Sequence, residues 1–147
     1  MRFVPVLLMT IILAACASSK TPYPAAQDIV DDVAAAHPDL VRLTLHAVPA
    51  GKTECTQIAS TVKKRRGKPS DPEDLKAMKT GQQIVMDESG AIDVTVPILR
   101  KSGKPTAVAG VTLRAEEGAD RVALVHKARV IAEELAAAVH AAGDPVW

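Results

Sequence analysis

Few residues in this chain have the type and spacing that chemistry requires. The four histidines, His37, His46, His126 and His140, form no His-x-Glu, His-Glu-x-x-His or i,i+4 pattern. His126 and His140 share a predicted helix but stand about 21 Å apart along it, so no metal site is expected. Asp87 and Glu88 are neighbours in a predicted turn, where water keeps both ionised, whereas acid–base work needs two carboxyls in different environments. Gly51-Lys52-Thr53 has the last three residues of a phosphate-binding loop. Such a loop needs a Gly five residues before Gly51, where His46 stands, and must open a helix rather than join two strands. Ser60, Ser70, Ser89 and Ser102 sit in no Gly-x-Ser-x-Gly elbow. No catalytic residue and no cofactor are expected. Charge is balanced, with 18 basic and 17 acidic residues, and the only aromatics are Phe3, Tyr23 and Trp147. A nucleic-acid partner, which needs a basic excess and stacking surfaces, is excluded.

The N-terminus reads as a targeting segment. Met1-Arg2 precedes an apolar run, Phe3 to Ile12, too short to span a bilayer, and Leu13-Ala14-Ala15-Cys16 follows. Leu-Ala-Ala-Cys resembles the bacterial lipobox, which implies removal of residues 1–15 and acylation of Cys16, a stable anchor without a transmembrane helix. Ala17 and Ser18, in place of Asp after the cysteine, imply by the same likeness the periplasmic face of the outer membrane in a Gram-negative cell. Residues 16–24 would be the lipidated tether and 25–147 one folded domain. Cys55 then has no disulfide partner and reads as a buried thiol rather than a nucleophile.

The positioning elements follow from periodicity. Ile29, Val30 and Val33 predict a helix over Asp28 to His37, stopped by Pro38. Val41, Leu43, Leu45 and Ala47 alternate with Arg42, Thr44 and His46, predicting a half-buried strand, and Thr53 to Thr61 can return as a second. The basic run Lys63 to Lys68 reads as a solvated loop. A short helix is expected over Ser70 to Lys79, with Ser70 or Asp71 as cap, a Ser70–Glu73 capping box and Gly81 as its end. Strands are predicted over Gln82 to Met86, Ile92 to Leu99 and Ala107 to Arg114, with turns at Asp87-Glu88-Ser89-Gly90 and Lys101-Ser102-Gly103-Lys104. A long helix, Asp120 to Ala142, closes the chain. The fold class is α+β, a five-stranded antiparallel sheet packed against N- and C-terminal helices.

This order, with the stretches Asp71 to Gly81, Ala91 to Leu99 and Gly103 to Val111, resembles the single Cache (PAS-like) domains of bacterial sensors. The resemblance implies that the last strand lies between the first strand and that of residues 91–100. Arg42, Thr44 and His46 would then lie beside Thr112 and Arg114, and these beside Asp93 and Thr95. It further implies a ligand face roofed by the middle segment. Arg42, Thr44, Asp93, Thr95, Thr112 and Arg114 would hold a small carboxylate or amino acid, and Lys79 would close over it. The same residues suit the solvated face of a half-exposed sheet equally well. Two functions are open: a membrane-anchored sensor of a small carboxylate, or a structural lipoprotein that docks another envelope protein. A monomer or weak homodimer is expected.

Overall fold

A computed structural model describes residues 21–143 and Trp147; the leader, Cys16 and most of the tether lie outside the described residues. Helix α1 (Pro24–Ala35) starts four residues earlier than periodicity predicts, because Pro24 fits a first helical turn that needs no N–H. Strand β1 (Leu40–Ala47) follows, then β2 (Thr56–Ser60), a 3₁₀ turn (Lys63–Arg65), α2 (Pro72–Thr80), β3 (Ile84–Glu88), β4 (Ala91–Leu99), β5 (Pro105–Arg114) and α3 (Arg121–Ala141). The sheet is antiparallel throughout, in the order β2-β1-β5-β4-β3, so β5 lies between β1 and β4 as expected.

One face of the sheet carries the apolar half of each alternation. Leu43, Leu45, Ile92, Val94, Ile98, Val111 and Leu113 pack there against Val30 of α1 and Ile131, Leu135 and Val139 of α3. The Asp120 carboxylate caps α3 by accepting from the N–H groups of Val122 (2.9 Å) and Ala123 (3.1 Å).

The other face decides between the two readings of its polar residues, in favour of the roofed one. Its polar residues Thr44, His46, Thr95 and Thr112 are buried, not solvated, because α2 and the segment after β2 lie over them. Strand β2 is shorter than predicted because residues 67–69 fold back beside it: Gln57 N–H donates to the Lys68 carbonyl (2.8 Å) and Gly67 N–H to the Gln57 carbonyl (2.7 Å). Within the basic run Lys63, Lys64 and Lys68 are exposed. Arg65 and Arg66 are half-buried, with Arg65 on Asp71 (3.1 Å) and Arg66 on the Ser60 carbonyl (2.8 Å). The capping box of α2 is shifted by one residue from Ser70–Glu73. Asp71 is its cap, and Asp74, not Glu73, reaches back to the Asp71 N–H (3.0 Å), which frees Ser70 to point into the protein. Gly81 ends the helix in the left-handed conformation, φ 67°.

Candidate functional site

The register sets the polar face out in rows. Arg42 pairs with Thr112 and Thr112 with Asp93; Thr44 pairs with Gly110 and Gly110 with Thr95; His46 pairs with Val108. Strand alternation sends these side chains to one face, so residues 15 to 70 apart in sequence become neighbours.

In the first row Thr112 Oγ donates to Asp93 Oδ1 (2.5 Å) and Arg42 lies 3.3 Å from the same oxygen, with Glu88 at 3.6 Å. In the second, Thr44 and Ser60 share a hydroxyl hydrogen bond (2.9 Å), and Thr95 Oγ donates to Asp74 Oδ1 (3.4 Å). The third row holds buried titratable groups. His46 Nδ1 lies 3.0 Å from Ser70 Oγ and 3.2 Å from Asp74 Oδ2, and Ser70 Oγ donates to Cys55 Sγ (3.2 Å). A single Nδ1–H tautomer serves this chain, since the hydroxyl proton of Ser70 is already directed at sulfur.

Burial shifts the titratable groups of the third row towards their neutral forms. Burial pushes the His46 pKa down to about 3; Asp71 opposes this, while Arg65 and Arg42 add to it. Burial lifts Asp74 to about 7, against the Asp71 backbone N–H and helped by the carboxylates of Glu73, Asp71 and Asp93. The 3.2 Å approach of His46 to Asp74 is therefore a hydrogen bond between largely neutral groups rather than an ion pair, because burial disfavours both charged forms. Burial also raises the Cys55 thiol, only partly offset by Ser70, which keeps it protonated and unreactive. Asp71, Glu73 and Asp74 bring three carboxylates together, but Arg65 and the helix start engage Asp71, and His46 and Thr95 engage Asp74.

Beside this network, at the end of the same face, lies a cleft of about 540 Å³. Val48 and Ala50 of the β1–β2 loop, Met78 of α2, Lys104, Thr106 and Trp147 line it. Thr106 Oγ1 is buried and, among the described residues, is the one buried side-chain polar atom with no hydrogen-bond partner. An orphaned buried hydroxyl costs free energy and calls for an explanation.

No family model matches the chain, and no curated protein matches it in sequence. Solved structures do match. The GAF domain/HD domain protein from Geobacter sulfurreducens superposes with a TM-score of 0.55 at 10% identity, over 82% of this chain and 94% of that one. The GAF domain of the Acinetobacter phosphoenolpyruvate-protein phosphotransferase gives 0.51 at 15% identity, over 86% and 89%. A GAF domain region from Geobacter sulfurreducens PCA gives 0.53 at 16%, over 78% and 90%. The fold is GAF-like. The PAS-like sheet expected from the sequence stands, and at these identities the likeness speaks for architecture alone.

In the GAF-like domain Arg42, Thr44, Asp93, Thr95 and Thr112 do come together, but each is engaged by another protein group. Arg114 is exposed at the end of β5, outside the network. Lys79 does not close over the face. It is exposed, because it stands about 140° around α2 from Asp74, which points at the sheet with Ala77. Sequence reasoning missed Ser70, Asp74 and Thr106. Ser70 and Asp74 fall in a stretch where two overlapping capping patterns are possible, and Thr106 stands beside a turn where alternation carries no signal.

Proposed function

We propose that this GAF-like domain binds a small carboxylate or amino-acid-type ligand, in the manner of extracytoplasmic Cache sensors, and that an acylated Cys16 holds it at the cell envelope. The lipobox-like Leu13-Ala14-Ala15-Cys16 supports the anchor. The ligand's place is the cleft at the end of the α2-roofed face. The observation that carries this reading is the cleft lined by Lys104, Met78, Thr106 and Trp147, with the Thr106 hydroxyl buried and unpartnered beside it. A carboxylate would accept from Thr106 and meet Lys104, while Val48, Met78 and Trp147 offer apolar walls. The contacts of Asp74 with His46 and Thr95 tie α2 to the sheet, and the Arg42–Asp93–Thr112 group completes the floor.

A thermal-shift screen with small carboxylates and amino acids tests this. A ligand at 100 times its dissociation constant adds about 2.7 kcal/mol of stability, a readily measured rise in Tm. The expected result is a shift from at least one compound that shrinks in Thr106→Val and in Lys104→Ala. A screen without a shift, or a shift indifferent to both substitutions, counts against the reading. Mass spectrometry of the protein from a bacterial envelope tests the anchor separately, through the acyl mass on Cys16.

A further inference from the structure

The antiparallel register gathers distant residues at each end of the sheet, and the two ends differ in charge. At one end β1 finishes as β2 and β5 begin, with Ala47 opposite both Thr56 and Ala107, and the β4–β5 hairpin closes with Leu99 opposite Pro105. Exposed Lys52, Lys68, Lys101 and Lys104 lie there. Lys79 lies there too, since Gly81, which ends α2, sits beside Pro105. Glu54 is acidic there, and Asp71 and Glu73 follow Lys68 closely, with Asp71 engaged by Arg65. At the other end stand Asp39, Asp87, Glu88, Glu116, Glu117 and Asp120 with exposed Arg114 beside them, while Arg121 and Lys127 are already engaged by Asp87 and Asp39.

The chain enters the domain at the basic end. Pro22 and Tyr23, immediately before α1, line a cleft with Lys52, Thr56 and Gly67. From Cys16 to Tyr23 is a span of seven residues, at most about 25 Å of chain. Exposed Val48 and Leu99 lie among the lysines at this end.

We propose that the basic end, Lys52, Lys68, Lys101 and Lys104, is a docking surface for an anionic phospholipid bilayer, against which it sets the orientation of the whole domain. This rests on the N-terminal anchor of the preceding section. A tether this short confines the domain close to the headgroups, so the local concentration of lipid charge is high and modest attraction per lysine is sufficient. The acidic end is repelled by the same surface and faces away from it.

The test uses the full chain reconstituted on vesicles of phosphatidylcholine alone and on vesicles that also contain phosphatidylglycerol, with lysine acetylation rates read by mass spectrometry. On the anionic vesicles Lys52, Lys68 and Lys101 are expected to react several-fold more slowly than on phosphatidylcholine, while Lys127 is unchanged, and high salt should remove the difference. The variant K52E/K68E/K101E should remove the protection of the remaining Lys104. Equal rates on both vesicles, protection of Lys127 instead, or protection that survives in the triple variant would overturn the proposal. The acyl mass on Cys16 is measured on the same sample. A chain without it overturns the anchor, and the acetylation pattern still decides the surface.

Discussion

His46 and Asp74 show what a buried polar pair does to stability. Between their unperturbed values of 3.8 and 6.5, the unfolded pair holds one proton, on His46. The folded pair also holds one there, on Asp74, because burial has moved His46 to about 3 and Asp74 to about 7. Proton uptake is equal in the two states, so the pair contributes almost no pH dependence across that window. Each partner alone would. In Asp74→Asn the unfolded His46 binds a proton that the folded one refuses, and stability should fall as pH drops from 6.5 towards 3, by up to about 1.4 kcal/mol per unit. In His46→Gln the folded Asp74 keeps a proton that the unfolded one releases, and stability should instead fall as pH rises from 3.8 towards 7. Urea unfolding across this pH range measures both, and identical slopes in the two variants and the parent would contradict the assignment. Thr106 gives a second test at this scale. Its hydroxyl has no partner, so Thr106→Val should leave the ligand-free protein as stable as the parent or more so, whereas loss of a made hydrogen bond costs about 1 kcal/mol.

Among the elements, β1, β4 and β5 were legible because two-residue alternation reports directly which side chains share a face. Leu43, Leu45, Ile92, Val94, Val111 and Leu113 all point to the helix-covered side. What alternation does not carry is whether the second face is covered. Arg42-Leu43-Thr44-Leu45-His46 reads identically under water and under α2. The site was legible to the same extent: the neighbours Arg42, Thr112 and Asp93 followed from the strand order, whereas Asp74 and Ser70 depend on which of two adjacent capping patterns wins. Gly110 is the point where the sheet itself makes room. A Cβ there would sit 3.3 Å from His46 Nε2 and 3.9 Å from Thr44 Cβ. Gly110→Ala should therefore displace the imidazole from its place beside Ser70 and Asp74 and destabilise by about 1–3 kcal/mol, read as a lower urea midpoint. An unchanged midpoint would mean that the His46 row is not tightly packed. On the opposite face Leu135→Ala, at a fully buried α3 position, should cost about 2–5 kcal/mol.

For the molecule as a whole, the sheet separates three tasks. One face, with α1 and α3, holds the apolar core; the other buries a polar network under α2; and the two ends divide the charge. Replacing a buried polar network by apolar side chains is often neutral or stabilising, so its presence under α2 points to specification of how that helix sits rather than to gross stability. The cleft proposed for the ligand borders that helix through Met78, so its occupancy would be coupled to the position of α2. The most direct test of the account is a titration of the methyl-labelled protein with the carboxylate and amino-acid panel, followed by NMR. The account predicts saturable shifts at Thr106, Met78 and Val48 that are lost in Thr106→Val. Saturable shifts confined to α3, or none with any compound, would contradict it.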